Sequence, residues 1–206
     1  MESFFLNDKV NSNGIYAVNF YTLGVPHTVI VDDYLPLYKE DSGSFTANAA
    51  NFGTDGSIWG MVLEKAFAKY HGNYKHIEGG VTEMAVKTLY GAASTTVYHT
   101  GMASAKLWKT LSAADKRNDI ITTGTWSTKN SVGLTAGHAY TVLGVKELTD
   151  TAGKKIKLVK IRNPWGTEGF KGDYSDSSKK WTAALKKQAG AVKKNDGEFF
   201  MTVADY

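Results

Sequence analysis

Apolar and polar positions change period along this chain. From Ile15 to Tyr21 they alternate, with aromatic residues in the apolar row, and Thr28 to Val31 is β-branched and apolar. Leu23-Gly24-Val25-Pro26 between them carries turn chemistry, so the two runs predict a hairpin, ended by Asp32-Asp33-Tyr34-Leu35-Pro36. Residues 39–56 are polar and rich in Gly, Ser and Asn, and predict a loop. The period then becomes helical. Ile58, Val62, Ala66 and Tyr70 share one row, and Trp59, Leu63 and Phe67 lie beside it. So wide a stripe predicts a largely buried helix, with Ser57 as its N-cap and Gly72 just past its end. Thr82 is placed to cap a shorter helix reaching Leu89, before Gly91.

Beyond Gly91 the texture shifts. Residues 104–114 predict a helix with Leu107, Trp108 and Leu111 inward. Strands follow over 120–126, 139–147, 156–162 and 199–203, with a turn at Asp150-Thr151-Ala152-Gly153 and one more helix over 181–192. There is no internal repeat. The pattern predicts an α+β chain in two lobes. Residues 1–91 form a mainly helical lobe with a hairpin, and residues 92–206 form an antiparallel sheet with flanking helices.

Composition narrows the function classes. A chain of 206 residues with 42% hydrophobic and 21% charged positions is ordinary for a globular protein. Its apolar runs are too short to cross a bilayer, and Met1-Glu2-Ser3-Phe4-Phe5-Leu6 lacks the basic start of a signal peptide. The net charge of +4 owes much to Lys179, Lys180, Lys186, Lys187, Lys193 and Lys194. Trp181 is the only aromatic residue among them, which predicts a solvated helix face and no nucleic-acid partner. The cysteine count is 0, which excludes disulfides and thiolate metal sites and fits a reducing, cytoplasmic compartment.

The candidate chemistry lies in Gly137-His138-Ala139-Tyr140 and Arg162-Asn163-Pro164-Trp165-Gly166. His138 opens one strand and Asn163 ends another, and the turn at 150–153 makes these strands a hairpin that brings imidazole and amide together. Trp165 is placed to lie over the contact. A cysteine nucleophile needs such a pair: imidazole takes the thiol proton, and an amide holds the imidazole. The chain thus carries the support for a nucleophile that it does not contain.

These motifs, in this order, resemble a calpain-type cysteine protease core. Asp196-Gly197-Glu198-Phe199-Phe200-Met201 continues the likeness, as do Val31-Asp32-Asp33-Tyr34-Leu35-Pro36 and the helix with Leu63-Glu64-Lys65-Ala66. Gly79-Gly80 matches the family's Ser-Gly-Gly stretch, with Glu78 in the serine's place. The resemblance runs from about Gly14 to Tyr206. It implies a papain-like two-lobe fold that cleaves protein or peptide substrates in the cleft between lobes. His138 would be the catalytic histidine, Asn163 its orienting partner and Trp165 the shield. Gly79, Gly80, Gly137 and Trp165 would contact substrate. The segment with the catalytic cysteine would lie upstream, so the chain alone is expected to be inactive. Without that helix, the stripe from Ile58 to Tyr70 is expected to be partly exposed, giving a looser lobe or self-association.

The resemblance also implies calcium, a cation that takes about six to eight oxygens. Asp176, Asp196 and Glu198 match the second lobe's acids, and Lys194 falls where the family can use a backbone carbonyl. Gly169 stands where a further acid is expected, with Glu168 beside it as the substitute. In the first lobe Ser57 replaces the expected acid, so no competent site is expected there. Two alternatives remain. One is a non-catalytic, calcium-dependent protein-binding module of the same fold. The other is a carbohydrate-binding β-domain with exposed tryptophans in a row, disfavoured by the helical placement of Trp59 and Trp108.

Overall fold

The computed structural model describes residues 4–7, 9, 12–47, 50–53, 55–127 and 131–206. It divides the chain into two compact units, residues 1–96 and 97–206. Among the described residues no helix is long and apolar enough to cross a membrane.

The first unit is built on the predicted hairpin, β1 (Ile15–Thr22) and β2 (Val25–Asp32), paired antiparallel from Ile15–Asp32 to Thr22–Val25. Alternation places Tyr16, Val18 and Phe20 on its inner row. They pack on Val62 and Ala66 of α1 (Trp59–Tyr70), with Leu63, Phe67 and Tyr70 partly buried alongside. The stripe expected to be partly exposed is buried at Val62 and Ala66, half-buried at Ile58, Leu63, Phe67 and Tyr70, and exposed at Trp59, at 60%. The inner row of β1 supplies the apolar surface that the helix needs.

Two motif residues meet here. Lys65 pairs with Asp32 and also donates to the Tyr34 carbonyl at 2.6 Å. This lysine holds the Asp32 carboxyl below its ordinary range. Ser57 does not cap α1. Ile58 stands at the N-cap without a side-chain bond, while the Ser57 amide donates to Asp55. Thr82 is likewise the first residue of α2 (Thr82–Tyr90) rather than its cap. A short hairpin, β3 (Leu37–Lys39) and β4 (Phe45–Ala47), runs into the segment 39–56 read as a loop. Strands of three residues are too short to reveal a period.

The second unit is a four-stranded antiparallel sheet in sequence order: β5 (Ile121–Gly124), β6 (Ala139–Thr149), β7 (Lys155–Arg162) and β8 (Glu198–Thr202). One face carries Tyr140, Val142, Val159, Ile161, Phe199 and Met201 against Leu107 and Leu111 of α3 (Ser104–Lys116). The other carries Leu148, Leu158 and Phe200 against Leu185 and Ala189 of α4 (Ala183–Ala189). Both faces are covered, so β8 reads as the continuous run Phe199-Phe200-Met201 rather than as an alternation. A bulge between Val142 and Gly144 changes the phase of β6. Tyr140, Val142 and Val145 consequently face α3 while Leu148 faces α4. The last helix is shorter than predicted: Thr182 caps it by accepting from the Leu185 amide, and Gly190 ends it in a left-handed conformation.

In α2, Glu83 ties down the end of the first unit. It accepts from Lys87 at 2.7 Å, Ser94 at 2.9 Å and the Thr96 hydroxyl. Together, Lys87 first, these donors pull its carboxyl down to about 2. A depressed carboxylate contributes stability above its unfolded value, and loses it as pH falls through the folded value. The NMR shifts of Ser94–Thr96 should therefore move, as the segment comes loose, only as pH drops toward about 2. In Glu83→Gln the same shift change should already be present at neutral pH.

Candidate active site

The β6–β7 hairpin sets the site. Thr141 pairs with Arg162, which brings His138, just before β6, opposite Asn163, just after β7. The His138 Nε2–H donates to Asn163 Oδ1 at 2.9 Å. Neighbours fix the direction of that bond. The Trp165 amide donates to the same Oδ1 at 3.1 Å, and Asn163 Nδ2 donates to the Thr167 carbonyl at 3.0 Å. The amide oxygen therefore faces the imidazole, and Nε2 must carry the proton. In the neutral ring this leaves the lone pair on Nδ1.

Asn163 is 4% exposed, and its backbone is used as fully as its side chain. Its N–H donates to the Gly197 carbonyl at 2.8 Å, and its carbonyl accepts from the Gly166 amide at 3.0 Å. Pro164 starts this turn and cannot donate to a further rung of the sheet. The Trp165 ring lies 4.2 Å from the His138 ring, tilted by 42°, and Tyr140 meets the imidazole edge-on at 4.8 Å. Trp165 is itself 64% exposed. It covers one side of the histidine and presents its other surface outward.

The three expected substrate glycines differ. Gly137 has φ +60°, a backbone reason for glycine, and its N–H donates to the Trp126 carbonyl at 2.7 Å. Gly79 and Gly80 lie in the first unit, between a 3-10 turn and α2, with open space where a Cβ would stand. Packing within that unit does not require glycine at either position.

The expected calcium residues are only partly brought together. Asp176, Lys194, Asp196 and Glu198 line a cavity of about 300 Å³ with Lys160. Glu168 Oε1 accepts from the Asp176 amide at 3.0 Å, and Asp176 Oδ2 accepts from the Lys194 amide at 2.8 Å. Burial pushes the Glu168 and Asp176 carboxyls up, and the Asp196 charge adds to it. Glu198 is turned to Lys160 at 2.6 Å and Arg162 at 3.5 Å. Gly169 offers no side chain. The donors suit calcium in type, all being hard oxygens. Among the described residues, however, no three acidic or histidine side chains are arranged to hold a metal.

Known proteins agree on the family. A family model described as calpain family cysteine protease matches residues 2–206. The chain belongs to that family. Calpain-14 of Homo sapiens is 34% identical over 197 residues, covering 94% of this chain and 28% of the relative. The calpain-1 catalytic subunit of Mus musculus is 32% identical over 205 residues, covering 94% and 27%. The calpain-type cysteine protease DEK1 of Zea mays is 32% identical over 213 residues, covering 98% and 9%. The chain thus spans under a third of the length of these calpains. Its mixed helices and antiparallel sheets fit a calpain core.

Gly197 carries a constraint that motif reading missed. It sits at φ +83°, and a Cβ there would stand 2.7 Å from the Asn163 carbonyl oxygen and 3.0 Å from the Gly166 Cα. Gly190 has a similar φ of +67° but open space around it. Gly197→Ala should cost about 1–3 kcal/mol from conformation alone, plus the displacement of Asn163. Gly190→Ala should cost less. Thermal unfolding checks the order, and equal losses would count against the close approach.

Proposed function

We propose that this chain supplies the histidine and asparagine of a calcium-dependent cysteine endopeptidase acting on protein substrates. The observation that carries the reading is the Nε2–H to Oδ1 bond of 2.9 Å, with the amide direction set by Trp165 and Thr167. A cysteine from outside these 206 residues provides the thiol, since the count here is 0. His138 Nδ1 takes the thiol proton, and the thiolate attacks the peptide carbonyl carbon. The imidazolium then gives that proton to the leaving amine. Water, deprotonated by the same nitrogen, releases the acyl group and restores the thiol. Asn163 keeps the Nε2 proton in place throughout, so that only Nδ1 gains and loses one, and Trp165 limits water at the contact. Gly79, Gly80 and Gly137 admit the substrate backbone. A reducing, cytoplasmic setting suits a thiol enzyme.

The chain alone should hydrolyse no casein-type substrate. In the full-length protein, His138→Ala should lower kcat by about 10²–10⁴-fold, with Asn163→Ala reducing it less. Full activity in His138→Ala would sink the reading. The missing thiol also favours a second reading, a non-catalytic module that binds proteins. A full-length protein with no cysteine preceding these residues decides for it.

Calcium belongs to the proposal as a stabiliser of the second unit; Asp176, Asp196 and Glu168 with the Lys194 carbonyl would hold it after their side chains rearrange, since no three acids are grouped for a metal among the described residues. It supplies charge compensation and no reacting group. Millimolar calcium should raise the thermal midpoint of the chain. Asp176→Asn should abolish the response, because a ligand binding only the native state stabilises in proportion to its occupancy. An unchanged midpoint in the parent chain counts against calcium here.

A further inference from the structure

The sheet stops one residue short of the catalytic histidine, and a side chain completes it. The last β5–β6 pair is Gly124–Ala139. One rung further, the Thr125 amide donates to the His138 carbonyl at 3.0 Å. The return bond would ordinarily come from a backbone carbonyl. Here the His138 amide donates to the Thr125 hydroxyl at 3.0 Å. That hydroxyl has one proton, and the Thr135 carbonyl lies 2.6 Å away, against 3.3 Å for the His138 carbonyl. The proton goes to Thr135. Its amide in turn donates to the Tyr140 hydroxyl at 3.0 Å, and the Tyr140 ring meets the imidazole edge-on.

We infer that Thr125 is a positioning residue for His138. Its hydroxyl bridges the His138 amide and the Thr135 carbonyl, and so sets the angle at which the imidazole leaves the strand toward Asn163. The inference rests on the proposed role of His138 as the base. The Thr125 hydroxyl alone holds the histidine's own N–H through a side chain. A residue without a hydroxyl leaves that amide and the Thr135 carbonyl both unsatisfied. Serine keeps the bridge.

The test compares Thr125→Val, Thr125→Ala, Thr125→Ser and Asn163→Ala. In the chain itself, NMR reads exchange of the His138 ring Nε2–H with water, with the amides of β7 reporting on the sheet. Thr125→Val and Thr125→Ala should speed ring exchange about ten-fold or more while β7 stays protected, and Thr125→Ser should stay within about two-fold of the parent. In the full-length protein, Val and Ala should lower kcat by about 10- to 100-fold with KM nearly unchanged, and Ser should restore it. If Val disturbs the sheet, the contrast between Ala and Ser still decides. Equal behaviour of Ala and Ser overturns the assignment. If Asn163→Ala alone speeds ring exchange, the role of Thr125 fails and the histidine–asparagine reading stands. If Asn163→Ala leaves ring exchange and kcat unchanged, the underlying reading has failed instead.

Discussion

A single hydrogen bond, from the His138 imidazole to the Asn163 amide, dictates how the second unit is finished at one end. An amide buried to 4% exposure must have its polar groups met, because an unsatisfied group there would cost about 1–3 kcal/mol. Trp165 and Thr167 meet the side chain, and Gly166 and Gly197 meet the backbone. The turn after β7 is thus shaped around Asn163, and its shape leaves the imidazole only one tautomer. The chemistry of the site follows from polar satisfaction more than from any unusual group.

The sheet makes that bond possible at a distance of 25 residues in sequence. Helix α3 covers one face and α4 the other, so the strands carrying His138 and Asn163 are held from both sides. The bulge in β6 lets one strand serve both cores. Tyr140, just past the histidine, is anchored among Phe199 and its neighbours while its edge meets the imidazole. Packing and site geometry are continuous through this residue.

Asp196, Gly197 and Glu198 are three consecutive residues with three destinations. Asp196 faces the cavity with Asp176, the Gly197 carbonyl takes the Asn163 amide, and Glu198 pairs with Lys160 and Arg162. A charge change in the cavity therefore lies one residue from the backbone that holds Asn163. The glycine between the two acids is demanded by that closeness, since no Cβ fits between it and the turn of 163–166.

The period of apolar positions was enough to place the hairpin, the buried helix and the sheet strands, because burial of one face imposes that period directly. The motifs around His138 and Asn163 were legible for a similar reason: the chemistry constrains residue type, and residue type is what a sequence states. The absent cysteine was legible in the same way. Helix N-caps, the three-residue strands and the phase change in β6 were not, since each depends on which backbone groups other elements leave unpaired. The cover over the Ile58–Tyr70 stripe came from the packing of β1. Glu198 turned toward Lys160 and Arg162 because the β7–β8 register sets it beside them. Thr125 and Gly197 look unremarkable in the string of letters. They matter through hydrogen bonds and close approaches between distant segments, which only the folded chain creates.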